Sequence, residues 1–158
     1  MTTYSFDTSV LISHLKGDVF ATESDNFFRR AIQNKIGLVI PDVVYAELYS
    51  GIYLSQDPNS EETRVQKFLA VNNIEVRTSR SLKVARRAGE FYSKHLQKGE
   101  GMRRILPDYL IAAQVEAISD AFVTWNALDY QGVGLRIPIL LPKTAFLSKS
   151  SNREKIEA

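Results

Sequence analysis

Short apolar segments alternate with helical patterns along this chain, and this alternation constrains the fold more than any other feature. Strands are predicted at residues 4–6, 37–40, 74–76, 121–124 and 138–141. Helices are predicted at residues 8–17, 23–34, 42–54, 62–71, 81–97 and 107–118, the first of them capped by Thr8 or Ser9. Strands without polar alternation are typical of a parallel sheet that is buried on both faces. The predicted class is therefore α/β, with a short parallel sheet covered by helices on both sides.

The chain length fits one domain. Its 158 residues are close to the common domain size, so we expect a single domain over residues 1–147 and a polar, flexible tail over residues 148–158. No apolar run approaches the roughly 20 residues of a membrane-spanning helix. No basic segment precedes the first apolar run, as it would in a signal peptide. We therefore expect a cytoplasmic protein without a membrane anchor.

Acidic and amide side chains follow the predicted strands. Asp7 closes the first strand, and Asn126 and Asp129 come directly after the fourth. Glu47 lies on the second turn of the helix after the second strand, and Asp108 opens the helix before the fourth. Because functional crevices of parallel sheets lie at the carboxyl ends of the strands, all five side chains are predicted to face one edge of the sheet.

Each of these residues also has a structural explanation. Asp108 would complement a helix dipole, Asp129 and Asn126 suit a turn, and Glu47 suits an exposed position. Asp7 is harder to explain in this way, because it ends an apolar strand where an unpaired charge is costly. Clustered carboxylates repel one another unless a cation holds them. Hard oxygen ligands in a chain without cysteine favour Mg²⁺ or Mn²⁺.

Four segments together resemble a known family. They are Phe6-Asp7-Thr8-Ser9-Val10-Leu11-Ile12, Ile40-Pro41 through Ala46-Glu47-Leu48 with Gly51-Ile52, Pro107-Asp108 with Ile111-Ala112-Ala113, and Phe122-Val123-Thr124-Trp125-Asn126 with Asp129-Tyr130. In this order and spacing they resemble the PIN domain, and within it the VapC-type ribonuclease toxins of VapBC toxin–antitoxin pairs. The resemblance covers about residues 3–142.

The resemblance implies a PIN-like three-layer fold and a metal-dependent endoribonuclease that uses Mg²⁺ or Mn²⁺. It assigns metal binding to Asp7, Glu47, Asp108 and Asn126, and catalysis to Asp7, Glu47, Asp108 and Asp129. Whether Asn126 or Asp129 completes the site stays open. Either Glu47 or Asp129 could also orient the attacking water.

Four other residues near these carboxylates are of interest. Thr8, Ser9 and Thr124 carry hydroxyl groups that could support the carboxylates, although helix capping and strand propensity explain them equally well. Trp125 stands where family members often have Arg or another polar residue, so substrate contacts near it are in doubt.

The charge is unevenly distributed. Residues 1–60 carry net −3, residues 61–105 carry net +6, and residues 106–158 carry net −1. A basic middle segment could contact the phosphates of RNA, and the predicted contacts are Arg86, Arg87, Lys94 and Arg103. The alternative is a solvated helix face.

The resemblance also implies protein partners, namely a VapB-type antitoxin and a second copy of the chain. An apolar groove for a partner helix is predicted on the helices over residues 23–34 and 42–54. Its candidate residues are Phe27, Phe28, Val44, Tyr45, Leu48, Tyr49, Ile52 and Tyr53. The alternative is that these side chains fill the core.

Other functions remain possible. A PIN-like domain could bind RNA or protein with little or no cleavage, and a purely structural interaction module would leave the carboxylate placement unexplained. A haloacid-dehalogenase-type phosphatase needs a second Asp where Ser9 stands. A nucleotide-binding protein is disfavoured because Gly99, Gly101, Gly132 and Gly134 lack the strand-before, helix-after context of a phosphate loop.

Overall fold

The computed structural model describes residues 1–79, 81–99 and 104–147, and within them five strands form one parallel sheet. The order across the sheet is β3-β2-β1-β4-β5. The strands are β1 (Thr3–Phe6), β2 (Gly37–Pro41), β3 (Ile74–Arg77), β4 (Ala121–Val123) and β5 (Ile139–Leu140). All neighbouring strands are parallel, with Tyr4 of β1 opposite Leu38 of β2 and Ala121 of β4. The predicted strands are confirmed, and none of their ends differs from the prediction by more than one residue.

Seven helices connect the strands in the same part of the chain. They are α1 (Thr8–Lys16), α2 (Ala21–Gln33), α3 (Asp42–Leu54), α4 (Pro58–Val71), α5 (Leu82–Gln97), α6 (Leu106–Ile118) and α7 (Ala127–Tyr130). The chain moves outward from β1 to β3 and then returns across the sheet to β4. Because such crossovers are right-handed, the helices before β3 and those after it cover opposite faces. The predicted α/β class with helices on both faces is confirmed.

Helix ends follow local chemistry that the sequence pattern indicated only in part. Asp7, and not Thr8 or Ser9, caps α1, because its carboxylate accepts a hydrogen bond from the Ser9 backbone N–H. Gly17 ends α1 in the left-handed conformation, with φ of 63°. The fourth helix starts at Pro58, four residues before the prediction, because Asp57 caps it. The short helix α7 was not predicted.

The core lies on both faces of the sheet. Phe6 and Phe122 are fully buried on neighbouring strands, with Leu11 packed from α1 and Ile111 from α6. Among the described helices, none combines the length and the apolar character needed to cross a bilayer. The predicted tail over residues 148–158 lies outside the described residues.

Candidate active site

The crevice of this sheet lies between β1 and β4, because the chain leaves β1 toward β2 on one side and reaches β4 on the other. Asp7 follows β1 and Thr124 follows β4, so both stand at the carboxyl ends that border this crevice. The Thr124 hydroxyl donates a hydrogen bond of 2.7 Å to Asp7 Oδ2. The Ser9 N–H and hydroxyl donate to Oδ1 at 3.1 and 2.5 Å. Three donors therefore hold one carboxylate at the switch point.

Burial of the Asp7 carboxylate lowers the stability of the fold. It is only 5% exposed, and burial raises the pKa of its carboxyl above the ordinary value. The hydrogen bonds from Ser9 and Thr124, and the charge of Arg104, lower the pKa of Asp7 but do not outweigh burial. Buried carboxyl groups with perturbed pKa values are typical of functional sites.

Glu47 reaches the same edge of the sheet from α3. The Thr8 hydroxyl donates a short hydrogen bond to Glu47 Oε2. Because Thr8 is the residue directly after Asp7, this bond places Glu47 beside the crevice. The predicted roles of Thr8, Ser9 and Thr124 as supporting hydroxyl groups are confirmed by these hydrogen bonds.

Asp108 and Asp129 meet at an arginine that was not among the predicted site residues. Arg104 Nη2 lies 2.6 Å from Asp129 Oδ2, and Arg104 Nη1 lies 3.6 Å from Asp108 Oδ1. Asp108 Oδ2 also accepts a 3.0 Å hydrogen bond from the Ile105 N–H, which fixes the start of α6. Burial lowers the pKa of the Arg104 guanidinium, but the hydrogen bond to Asp129 and the nearby negative charges raise it above its ordinary value.

Two tyrosines lie beneath these charges. Tyr130 is buried, and burial together with the negative charges of Asp7 and Asp108 raises the pKa of its hydroxyl. Burial and the surrounding charges raise the pKa of Tyr109 to about 12, against the opposing effect of Arg104. The charges of Asp7 and Asp108 both raise the pKa of Tyr130, so both predicted carboxylates lie near this side chain. The structure thus brings the crevice and the start of α6 together.

The loop after β4 supplies the remaining predicted residue. The Asn126 backbone N–H donates to Thr124 Oγ1 at 3.0 Å, which ties this loop to the hydroxyl that supports Asp7. Trp125 turns its ring away to stack on Phe20, with ring centroids 4.5 Å apart, and its Nε1 donates to Ser24 Oγ at 3.1 Å. Trp125 therefore fastens the α1–α2 connection to the rim of the crevice.

In this structure, the described carboxylates do not form one set of metal ligands. Among residues 1–79, 81–99 and 104–147, no three Asp, Glu or His side chains lie close enough to share a metal ion. Glu47 is held by Thr8, and Asp129 by Arg104. The donor chemistry nevertheless fits a divalent cation, since the side chains offer only oxygen. A guanidinium already occupies the space between Asp108 and Asp129, which shows that this pocket accepts positive charge.

The predicted RNA-contact residues fall into different environments. Arg87 is 13% exposed and hydrogen-bonds Glu116, Glu90 and the Gly134 carbonyl, so its guanidinium is already committed to the protein. Its assignment as an RNA contact is therefore not supported. Arg86 is exposed on α5, and Lys94 pairs with Glu90 at 3.4 Å. Arg103 lies outside the described residues.

Arg104 is the site residue that sequence reasoning missed. It was included only in a general basic stretch. The signal that could have found it is the spacing of four residues between Arg104 and Asp108, which favours ion pairs at a helix start. Its contact with Asp129, 25 residues away, depends on tertiary structure.

With this geometry in view, comparisons with known proteins identify the class. The PIN domain family model matches residues 4–127, and the chain belongs to the PIN domain family. The predicted family is thereby confirmed. A search of curated proteins returned no significant match.

Solved structures show the same fold. The chain is similar to a structure of VapBC2 from Rickettsia felis bound to a promoter DNA fragment, with 21% identity, a TM-score of 0.71, and coverage of 89% of this chain and 98% of that chain. It is similar to DNA-bound VapBC from Salmonella typhimurium at 20% identity and a TM-score of 0.71, covering 90% and 99% of the two chains. It is also similar to FitAcB from Neisseria gonorrhoeae at 16% identity and a TM-score of 0.63, covering 88% and 97%. At these identities the likeness establishes a common fold.

Proposed function

We propose that this protein is a metal-dependent endoribonuclease and the toxin of a type II toxin–antitoxin system. The observation that carries the proposal is Asp7, a buried carboxylate held by three hydrogen-bond donors at the switch point of a PIN-family sheet. Burial of this charge costs stability even with its hydrogen bonds and the nearby charge of Arg104. Its role as the cap of α1 does not require that cost, because an uncharged Ser, Thr or Asn also caps a helix. A cation-dependent reaction at this crevice does require the charge.

The ligands of the cation would be Asp7, Glu47 and Asp108, with Asn126 or Asp129 as the fourth. Mg²⁺ or Mn²⁺ bound there would polarise a phosphodiester and lower the pKa of an attacking water. The chain's own hydroxyl groups orient the carboxylates, since Ser9 and Thr124 fix Asp7 while Thr8 fixes Glu47. Glu47 or Asp129 would orient the attacking water.

The RNA path would run along the end of α5 that lies beside the site. Lys98 Nζ donates to the Gln131 carbonyl at 2.7 Å, directly after α7, and His95 packs on Tyr109. Lys94 lies one turn before Lys98, whereas Arg86 lies about 12 Å further along the helix. We therefore place the phosphate contacts at Lys94 and Lys98 first and at Arg86 second. Arg103, outside the described residues, remains part of the proposal.

An antitoxin surface is supported elsewhere than at the predicted groove. Five of the eight groove residues are buried and belong to the core: Phe27, Phe28, Val44, Leu48 and Ile52. A surface cavity of about 520 Å³ lies instead between α1, α2 and α4. Ile32 and Val71 line it with 52% and 65% exposure, together with three basic side chains and one acidic side chain: Arg29, Arg64, Lys67 and Asp25. Exposed apolar side chains among mostly basic ones suit an amphipathic helix that carries acidic side chains.

The comparisons agree with a toxin–antitoxin role, because the structures named above are those of VapBC2, VapBC and FitAcB. The proposal includes a cognate VapB-type antitoxin, a homodimer and a cytoplasmic location. Co-expression with the product of the neighbouring gene would test the partner, with Ile32→Glu and Val71→Glu as variants that should weaken binding. The exposed Leu82→Glu on α5 is the matched control. An antitoxin that binds both cavity variants like wild type would exclude this surface.

The nuclease itself is tested with purified protein and single-stranded RNA. We expect cleavage that requires Mg²⁺ or Mn²⁺, stops in excess chelator, and is lost in Asp7→Asn. Asp57→Asn, which changes a helix cap on α4 away from the crevice, is the matched control and should cleave normally. Full cleavage by Asp7→Asn, or by wild type in chelator, would contradict the proposal.

The alternative function is a PIN-like module that binds RNA or protein with little or no cleavage. It is favoured by one observation, namely that the described carboxylates do not converge on one point. Wild-type protein that binds RNA with the same affinity in metal and in chelator, and cleaves it in neither, would support this alternative.

A further inference from the structure

Arg104 occupies the acidic crevice as if it were a bound cation. Its side chain is 19% exposed and stands between Asp108 and Asp129, whose side chains are 20% and 31% exposed. The guanidinium carbon lies 5.8 Å from the centre of the Tyr130 ring. A solvated arginine would extend away from the protein, so this inward position needs contacts that stabilise it.

The charge of Arg104 acts on the whole crevice. Within the described part of the chain, it is the cation whose charge lowers the pKa of Asp7 and of the two buried tyrosines. It therefore neutralises part of the negative charge that Asp7, Asp108 and Asp129 bring together. Without it these carboxylates would repel one another.

The same oxygens are needed by a divalent cation. Asp129 Oδ2 is 2.6 Å from the guanidinium, and Asp108 Oδ1 is 3.6 Å from it. A metal ion that bound these oxygens would meet a fixed positive charge within a few ångströms. The metal would bind weakly unless Arg104 moved away, so the two cations compete for these oxygens.

We propose that Arg104 is an internal competitor for the metal site, which sets how much Mg²⁺ or Mn²⁺ the protein needs. The proposal rests on the proposed metal-dependent function and adds a positioning residue to it. Arg104 acts through Asp108 and Asp129, which it holds together while the metal is absent and releases when the metal enters. Asp7 and Glu47 are held by other partners, namely the hydroxyl groups of Thr124 and Thr8.

The proposal predicts a change in metal affinity that no purely structural role would produce. Arg104→Gln removes the charge and leaves a shorter polar side chain, so Mn²⁺ should bind about tenfold more tightly, as expected when a charge-assisted hydrogen bond no longer competes. Arg104→Lys keeps the charge but loses the planar fork, so its affinity should lie between the two. Arg30→Gln removes the same charge from the exposed side of α2 and should bind like wild type.

The experiment is calorimetric titration of full-length protein with Mn²⁺, together with electron paramagnetic resonance of the free ion and circular dichroism to confirm folding. The metal concentration for half-maximal RNA cleavage should shift in the same direction as the binding constant. Equal or weaker Mn²⁺ binding by Arg104→Gln, with cleavage still metal-dependent, would overturn this inference and leave the proposed nuclease intact. No Mn²⁺ binding by wild type or by Arg104→Gln would overturn both.

Discussion

Two arginine–carboxylate clusters each include a carboxylate of α6, and they differ in what surrounds them. In the first, Arg87 of α5 pairs with Glu116 of α6 at 2.8 Å. In the second, Arg104 pairs with Asp108 and Asp129 before and after the buried strand β4. The side chains of Arg87 and Glu116 are 13% and 12% exposed, whereas those of Arg104, Asp108 and Asp129 are 19%, 20% and 31% exposed. The first cluster is therefore less accessible to solvent than the second, and the two are called the closed cluster and the open cluster.

The partners show the same contrast. Arg87 also bonds Glu90 and the Gly134 carbonyl and covers the Phe91 ring at 4.4 Å, while Glu116 accepts from the Arg136 backbone. Every strong hydrogen-bonding group there has a partner from the protein. The open cluster instead adjoins Asp7, whose carboxylate is buried at a cost to stability. An enclosed ion pair between two helices stabilises the fold, whereas a more exposed cluster beside a buried carboxylate has the character of a functional site.

The largest effect is expected from breaking the closed cluster. Arg87→Ala leaves Glu116 only one of its three hydrogen bonds in a poorly solvated place, so the free energy of unfolding should fall by about 2 kcal/mol. Arg86→Ala, at the neighbouring exposed position, should change it by less than about 0.5 kcal/mol. Urea denaturation of both variants measures the difference. Equal losses would show that the closed cluster is no more than surface charge.

The pH dependence of the closed cluster should be the next largest effect. Burial raises the pKa of the Glu116 carboxyl, but hydrogen bonds from Arg87 and from the Arg136 backbone outweigh it and hold the pKa below its ordinary value. A depressed pKa stabilises the fold above the unfolded value of about 4.3, and this contribution is lost as the pH falls through the folded pKa. Glu116→Gln should therefore be less stable than wild type by about 1 kcal/mol at pH 7.

That gap should narrow as the pH falls from 7 toward 3, because the wild-type carboxyl loses its charge as it takes up a proton. Urea titrations of both proteins at the two pH values give the comparison directly. A gap of the same size at pH 3 would mean that the packing of the side chain, and not its charge, is responsible.

Removing the charge of Asp7, beside the open cluster, should change stability in the opposite direction. Asp7→Asn removes a buried charge and keeps an acceptor for the Ser9 N–H, so it should raise the free energy of unfolding at pH 7 by on the order of 1 kcal/mol in the absence of metal. Adding Mg²⁺ should stabilise wild type and leave Asp7→Asn unchanged. Thermal unfolding with and without the ion checks both statements. A less stable Asp7→Asn protein would show that the carboxylate is needed for folding.

The smallest expected effect concerns RNA binding. Lys94→Gln and Lys98→Gln should each lower the salt dependence of RNA binding by roughly 0.7 in the slope of log K against log salt, as expected when one phosphate contact to a single strand is lost. Binding is measured by fluorescence anisotropy in an Asp108→Asn background, which prevents cleavage. Arg30→Gln, which removes an exposed charge from α2, is the control. An unchanged slope in both Lys variants would remove α5 from the RNA path.

The sequence predicted the scaffold well because the scaffold depends on local patterns. Short apolar segments predicted all five strands, and the apolar end of β1 identified Asp7 as a buried charge. Thr8, Ser9 and Thr124 were placed correctly because they are neighbours of strand ends. The class of fold and the position of the crevice follow from these features alone.

The remaining features depend on contacts between distant segments. Arg87 and Arg104 look alike in a basic stretch, and only the fold shows that Glu116 pairs with one and Asp129 with the other. The groove prediction failed for Phe27, Phe28, Val44, Leu48 and Ile52 because helical spacing does not tell whether an apolar face meets the core or a partner. These distinctions require the packed structure.

The central claim is that the open cluster performs chemistry and the closed cluster supports the fold. Cleavage of single-stranded RNA in Mg²⁺ by Asp108→Asn and Glu116→Gln, with unfolding midpoints recorded on the same samples, tests it most directly. The account predicts that Asp108→Asn loses about 10³-fold or more of the activity with its stability nearly unchanged. Glu116→Gln should keep near-wild-type activity and lose stability. Substantial cleavage by folded Asp108→Asn, or an equal loss of activity in folded Glu116→Gln, would contradict it.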